Sequence, residues 1–183
     1  LQDSQNGYAK WIEFLTIDEK FKKQVIPTIQ FNTDDIKNTI LQVKSLSDEF
    51  YYLALKLPGF IFAENINNSN LYKITNITAN DAIQSVINVL IDIVGGKERL
   101  IIITDFGYIK NLEDYQICIN DCISKINDVS NIKALLFSSS SFPSFVKPIE
   151  ENEMQVQELK LFNFCRKHFS QDNKIFHSDY ASI

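Results

Sequence analysis

The sequence predicts an α/β fold, a parallel sheet with alternating helices, and two observations predict it. Four apolar runs all turn polar at their C-terminal ends: Tyr51 to Leu55 into Lys56, Leu100 to Thr104 into Asp105-Phe106-Gly107, Ile132 to Phe137 into the Ser138 to Ser141 tract, and Ile175 to Ser178 into Asp179-Tyr180. Between the runs lie segments with helical spacing. Buried strand bodies with polar tips, alternating with helices, are how a parallel sheet presents chemistry at one rim.

The elements follow in order. Over residues 8–23, Tyr8, Trp11, Ile12 and Leu15 recur at helical spacing, with an interruption expected at Asp18-Glu19-Lys20. Residues 24–31 read as a short strand, and Pro27, which has no N–H for a ladder, suits an edge or a bulge. A helix follows, capped by Asn32 or Thr33, with Asp34 and Asp35 at its positive end and Ile36, Ile40, Leu41 and Val43 as its apolar stripe. The strand over 50–57 stops at the turn signal Pro58-Gly59. After an irregular stretch, Leu71 to Ile77 alternates as a short strand. Thr78 to Asp81 then opens an apolar helix that runs to Val94 and ends at Gly95-Gly96. A strand over 99–105, a helix over 112–127, a strand over 132–138 and a Ser-rich loop come next. In the long helix over 151–169, Val156, Leu159, Phe162, Phe164 and Cys165 form the buried side, and Lys174 to Tyr180 is the last strand. Five such strands suit either an open doubly wound sheet or about half of an eight-stranded barrel.

Composition narrows the class. With 183 residues, 45% hydrophobic and 22% charged, the chain suits one globular domain, residues 1–183, made of an N-terminal helix over 1–23 and the alternating region over 24–183. The net charge of -5 disfavours binding to a nucleic-acid backbone. No stretch reaches the roughly 20 apolar residues of a membrane span. Three cysteines, Cys118, Cys122 and Cys165, are too few and too odd for a disulfide framework. They read as buried thiols of a cytoplasmic protein. The start at Leu1, without methionine, and the end at Ile183, just after a strand, suggest a piece of something larger.

The strand tips supply the candidate site. Asp105 and Asp179, at one end of a parallel sheet, could serve as acid and base or hold Mg²⁺, with no other cofactor or metal site expected. Each could instead cap a helix or pair with Lys56. Lys56 could grip a phosphate or carboxylate, and the reading preferred here is that it neutralises Asp105. Ser138 to Ser141 could offer hydroxyls and N–H groups to an anion, although the tract is neither a P-loop nor a nucleophile elbow. His177 should share a strand face with Asp179, and a satisfied core histidine is its simpler role. Tyr51, Tyr52, Phe142, Phe145 and Tyr180 read as core and rim packing in preference to a stacking platform.

Taken in order, Ile26-Pro27-Thr28-Ile29, the strand ending Lys56-Leu57-Pro58-Gly59, the strand carrying Asp105-Phe106-Gly107, the loop Ser141-Phe142-Pro143, the helix with Glu158, and the ending Asp179-Tyr180 resemble the phage-type beta protein family over residues 24–183. The resemblance implies the C-terminal half of a TIM-like (β/α) barrel. It also implies a functional set of Lys56 (where arginine is usual), Asp105, Ser141, Phe142, Pro143, Glu158, Asp179 and Tyr180. Lysine is a point charge and not a fork, a departure that bears on anion recognition. The expected function is a recognition module of a phage or bacterial defence system. It would bind a small anionic ligand or a protein partner at the strand C-termini through Lys56, Ser140, Ser141, Glu158 and Tyr180. The alternative is a hydrolase using Asp105 and Asp179. A protein partner, or a missing N-terminal half, is expected to complete the barrel, with no membrane or nucleic acid involved.

Overall fold

The computed structural model describes residues 5–29, 35–58, 85, 87–96, 99–108, 112–116, 120, 132–140, 157–168 and 174–179. The strand expected over 71–77, Cys118, Cys122, Ser141 to Phe145 and Tyr180 lie outside them.

The N-terminal segment is two helices, α1 (Ala9–Thr16) and α2 (Glu19–Lys22). The break falls where the acidic turn was expected. Asp18 accepts from the N–H groups of Lys20 and Phe21 and so caps α2. Strand β1 is described at Thr28–Ile29, and it is an edge of the described sheet, as Pro27 implied. Helix α3 (Ile36–Glu49) is capped by Asp35, which accepts from Asn38 N–H. Its buried face is Thr39, Gln42, Val43 and Leu46. Leu41, expected in the stripe, is 42% exposed because it lies on the opposite side of the helix from Val43.

Strand β2 (Leu53–Pro58) includes the proline expected to stop it. A helical segment α4 (87–93) ends in a Schellman motif: Gly96 N–H donates to Ile91 C=O and Gly95 N–H to Asp92 C=O. Strand β3 (Leu100–Tyr108), a short 3-10 turn at Leu112–Tyr115 and strand β4 (Ala134–Ser140) follow. Helix α5 (Gln157–His168) and strand β5 (Ile175–Asp179) complete the described chain. In α5 the buried residues are Leu161 and Cys165, one turn apart, whereas Leu159 is exposed and Phe162 and Phe164 are only partly buried.

The sheet is parallel throughout, with strand order β1-β2-β3-β4-β5. A doubly wound sheet reverses its order at a switch point; this sheet does not, so its winding is of the barrel type. Register divides the residues between two faces. Leu53, Leu55, Leu57, Leu100, Ile102, Leu135, Phe137 and Ile175 alternate onto one face and form a single buried cluster with Val43 and Leu46 of α3, Ile87, Leu90 and Ile91 of α4, and Leu161 and Cys165 of α5. The other face carries Ala54, Lys56, Ile101, Ile103, Asp105, Leu136 and Phe176 and is less covered: Ile101, Ile103 and Leu136 are half-buried, and Phe176 is 51% exposed. We call these the helix face and the open face.

Candidate functional site

Parallel strands bring Lys56, Asp105, the serines and Asp179 to one rim of the sheet, the C-terminal one. Within that rim the register separates them by face. Lys56 pairs with Ile103 and Asp105 with Pro58, so Lys56 and Asp105 are diagonal neighbours on the open face. Their side chains meet: Lys56 Nζ is 2.7 Å from Asp105 Oδ2. The lysine side chain is 51% exposed and the carboxylate 17%, so the ammonium still faces water while the aspartate beneath it is held by protein. This is the neutralising role expected of Lys56.

The second oxygen of Asp105 is also engaged, because Gly107 N–H donates to Oδ1 at 2.9 Å. That bond sits in a register shift between Asp105 and Tyr108, where Gly107 has φ +63. Asp105-Phe106-Gly107 is therefore a bulge inside β3 and not the end of the strand. Pairing resumes at Tyr108 with Ser140. The bulge turns the strand while Phe106 stays in the core, its ring 6.3 Å from that of Phe137.

The serine tract departs from expectation. Ser138, Ser139 and Ser140 are strand residues of β4, not loop residues, because β3 pairs with β4 as far as Ser140 and β5 as far as Ser139. Ser138 pairs with Asp105 and is buried on the open face; Ser139 is fully buried on the helix face, and its Oγ has no hydrogen-bond partner. Ser140 holds only a backbone position at the strand end, and Ser141 is outside the described residues. The loop cradle is thus shorter than the sequence suggested.

Asp179 ends β5 at a register position beside Ser139, which belongs to the helix face. Asp105 and Asp179 share a rim but occupy positions on opposite faces. His177 shares the face of Asp179, as alternation required. Its ring lies 5.5 Å from that of Phe162 on α5, and its Nε2 has no hydrogen-bond partner, so it is a core-facing histidine but not a satisfied one. Glu158 lies in the first turn of α5 by its backbone, and Tyr180 is outside the described residues. Among the described residues no group of three or more His, Cys, Asp or Glu side chains converges.

Tyr51 and Tyr52 are at the other rim, before β2 begins. They pack edge to face at 4.7 Å, with the Arg99 guanidinium 5.1 Å from the Tyr51 ring and Lys133 Nζ 5.6 Å from the Tyr52 ring. Sequence reasoning missed Arg99. It donates to the carbonyls of Tyr51 (2.7 Å), Ser47 (2.9 Å), Phe50 (2.9 Å) and Val94. It therefore ties the C-terminal ends of α3 and α4 together, where helix carbonyls lack partners. The one signal for it was a basic residue between a helix-ending glycine pair and an apolar strand.

The Lys56–Asp105 arrangement can hold a third, anionic group against the exposed ammonium. As an acid–base pair it is poorly suited, because both carboxylate oxygens already accept hydrogen bonds.

No protein-family model matches the chain, and no curated protein matches it. Among solved structures, a morphinone reductase variant in complex with tetrahydroNAD superposes with a TM-score of 0.41 at 11% identity, over 83% of this chain. The chain spans 41% of the length of that protein. Among the described residues no helix is long and apolar enough to cross a membrane.

Proposed function

We propose that the chain is a recognition module that binds an anionic group, phosphate or carboxylate, at the C-terminal rim of the open face. The observation that carries this reading is the Lys56–Asp105 pair at 2.7 Å, with the lysine side chain half exposed and the aspartate side chain mostly covered. An aspartate whose other oxygen accepts from Gly107 N–H anchors the lysine at the rim, where its side chain stays half exposed. The resemblance to the phage-type beta protein family gives this module a setting, conflict between phages and bacteria. The hydrolase reading draws no support from the register, because Asp105 and Asp179 do not fall on a common face.

Thermal melts with inorganic phosphate, pyrophosphate and ADP test the proposal. Unaltered chain should melt higher with at least one of these anions in a concentration-dependent way, Lys56→Ala should lose the shift, and Lys56→Arg should keep it. A shift of equal size in Lys56→Ala, or none in the unaltered chain with any of the three, overturns the proposal.

A further inference from the structure

We infer that the N-terminal end of the same open face is a separate ligand site for a small amphiphilic acid, an apolar chain or ring ending in a carboxylate. A trough of about 490 Å³ lies there, within the range of small-molecule sites. Its floor includes Ile101 and Phe176, Ile26 and Tyr52 wall it, and Lys133 and Lys174 stand at its rim. Ile26 and Phe176 are 48% and 51% exposed, two large apolar side chains half in water that a hydrocarbon body would cover.

The charge at the rim selects the head group. Leu135 pairs with Ile175, so Lys174 starts its strand beside Ala134, one residue from Lys133. Two ammonium groups thus begin neighbouring strands, and among the described residues no Asp or Glu lines the trough. The adjoining hollow, which shares Ile26 and Tyr52, shows the contrast: its Lys22 is held by Glu49 at 2.6 Å and Glu19 at 3.4 Å. Lys133 lies over the face of Tyr52, 5.6 Å away. A single carboxylate at this end of the trough can draw on both lysines. A peptide strand is the poorer occupant, because the floor is a sheet face whose backbone groups are already paired and not an edge offering hydrogen bonds.

Calorimetric titration of the full chain with decanoate, decanol and decylamine tests the inference. Decanoate should bind saturably, and the alcohol and the amine should bind at least about tenfold more weakly, the loss expected when a charge-assisted contact is removed. The double variant Lys133→Gln/Lys174→Gln should weaken decanoate by about tenfold or more. Lys56→Ala should leave it unchanged, which separates this site from the opposite rim. Three outcomes overturn it: no saturable decanoate binding, equal binding of the three probes, or unaltered affinity in the double variant. A dimer in sedimentation that Phe176→Ser dissolves would also overturn it, because a second copy would then fill the trough. The comparison of the three probes uses unaltered protein and stands whatever the variants do.

Discussion

At the scale of single residues, Arg99 and the glycines are decisive. One guanidinium serves four carbonyls from two separate stretches of chain, a task that the planar fork of arginine suits and lysine does not. Arg99→Lys should lower stability in urea denaturation by about 1.5–3 kcal/mol, the worth of hydrogen bonds to a charged group, and Arg99→Ala by more. A loss under about 0.5 kcal/mol would show that water replaces the guanidinium at no cost. Gly7 and Gly107 both have positive φ, yet they should respond differently to alanine. At Gly107 a Cβ meets nothing within 4 Å, so Gly107→Ala carries only the left-handed penalty of about 1–2 kcal/mol. At Gly7 a Cβ would lie 2.8 Å from Leu41 Cβ and 3.1 Å from the backbone nitrogen of Gln42, so Gly7→Ala must also push the N-terminal turn off α3. Denaturation should rank Gly7→Ala as clearly the less stable of the two, and the reverse order would refute the contact. The Lys56–Asp105 pair was legible in sequence because a charge at each of two neighbouring strand tips leaves few alternatives. Arg99 was not, because its partners are backbone carbonyls, and a sequence carries no mark of which carbonyls a fold leaves unpaired.

At the scale of elements, the central strands run further than their polar residues suggest. Polar tips at Asp105 and Ser138 predict strand ends, yet β3 continues three residues past Asp105, and β4 takes in three serines. Neighbour pairing, not side-chain polarity, sets where a central strand ends, and small hydroxyl residues tolerate burial there. In helix α5 the expected stripe holds at Cys165, which is buried, and in part at Phe162 and Phe164, which pack against the core; it fails at Leu159, which is exposed, while Leu161 takes the buried position. Burial pushes the Cys165 thiol pKa well above its ordinary value. Above about pH 8.5 the unfolded chain releases this proton while the folded chain keeps it. Stability then falls as pH rises, by up to about 1.4 kcal/mol per pH unit from this group alone. Urea denaturation at pH 7.5 and 9.5 should show a smaller decline in Cys165→Ala than in unaltered chain, although the variant starts lower because of its cavity. Equal declines would mean that the thiol reaches solvent in the folded protein.

At the scale of the whole molecule, the parallel alternating architecture was legible because it depends on repetition: every apolar run has the same polarity, and a helix-like segment separates each from the next. What repetition could not convey is the difference between the two faces of the sheet. Nearly continuous apolar strands such as Leu100 to Ile103 read the same whether one face or both are covered. The structure makes the faces unequal, with the helices α3, α4 and α5 packed into one cluster on one side and two lysine-bearing ends on the other. Adjacent residues of β4 allow this to be measured, since Leu135 is completely buried on the helix face and Leu136 is half-buried on the open face. Leu135→Ala should cost about 2–5 kcal/mol, the range for a large-to-small change in a packed core. Leu136→Ala removes the same atoms from a site with fewer neighbours and should cost about 1 kcal/mol or less, since loss scales with the apolar area returned to water. Chemical denaturation of the two variants gives both numbers. Costs of similar size would mean that something packs on the open face as tightly as the helices pack on the other. Both ligand rims would then lie inside a closed structure, reached only through its two mouths.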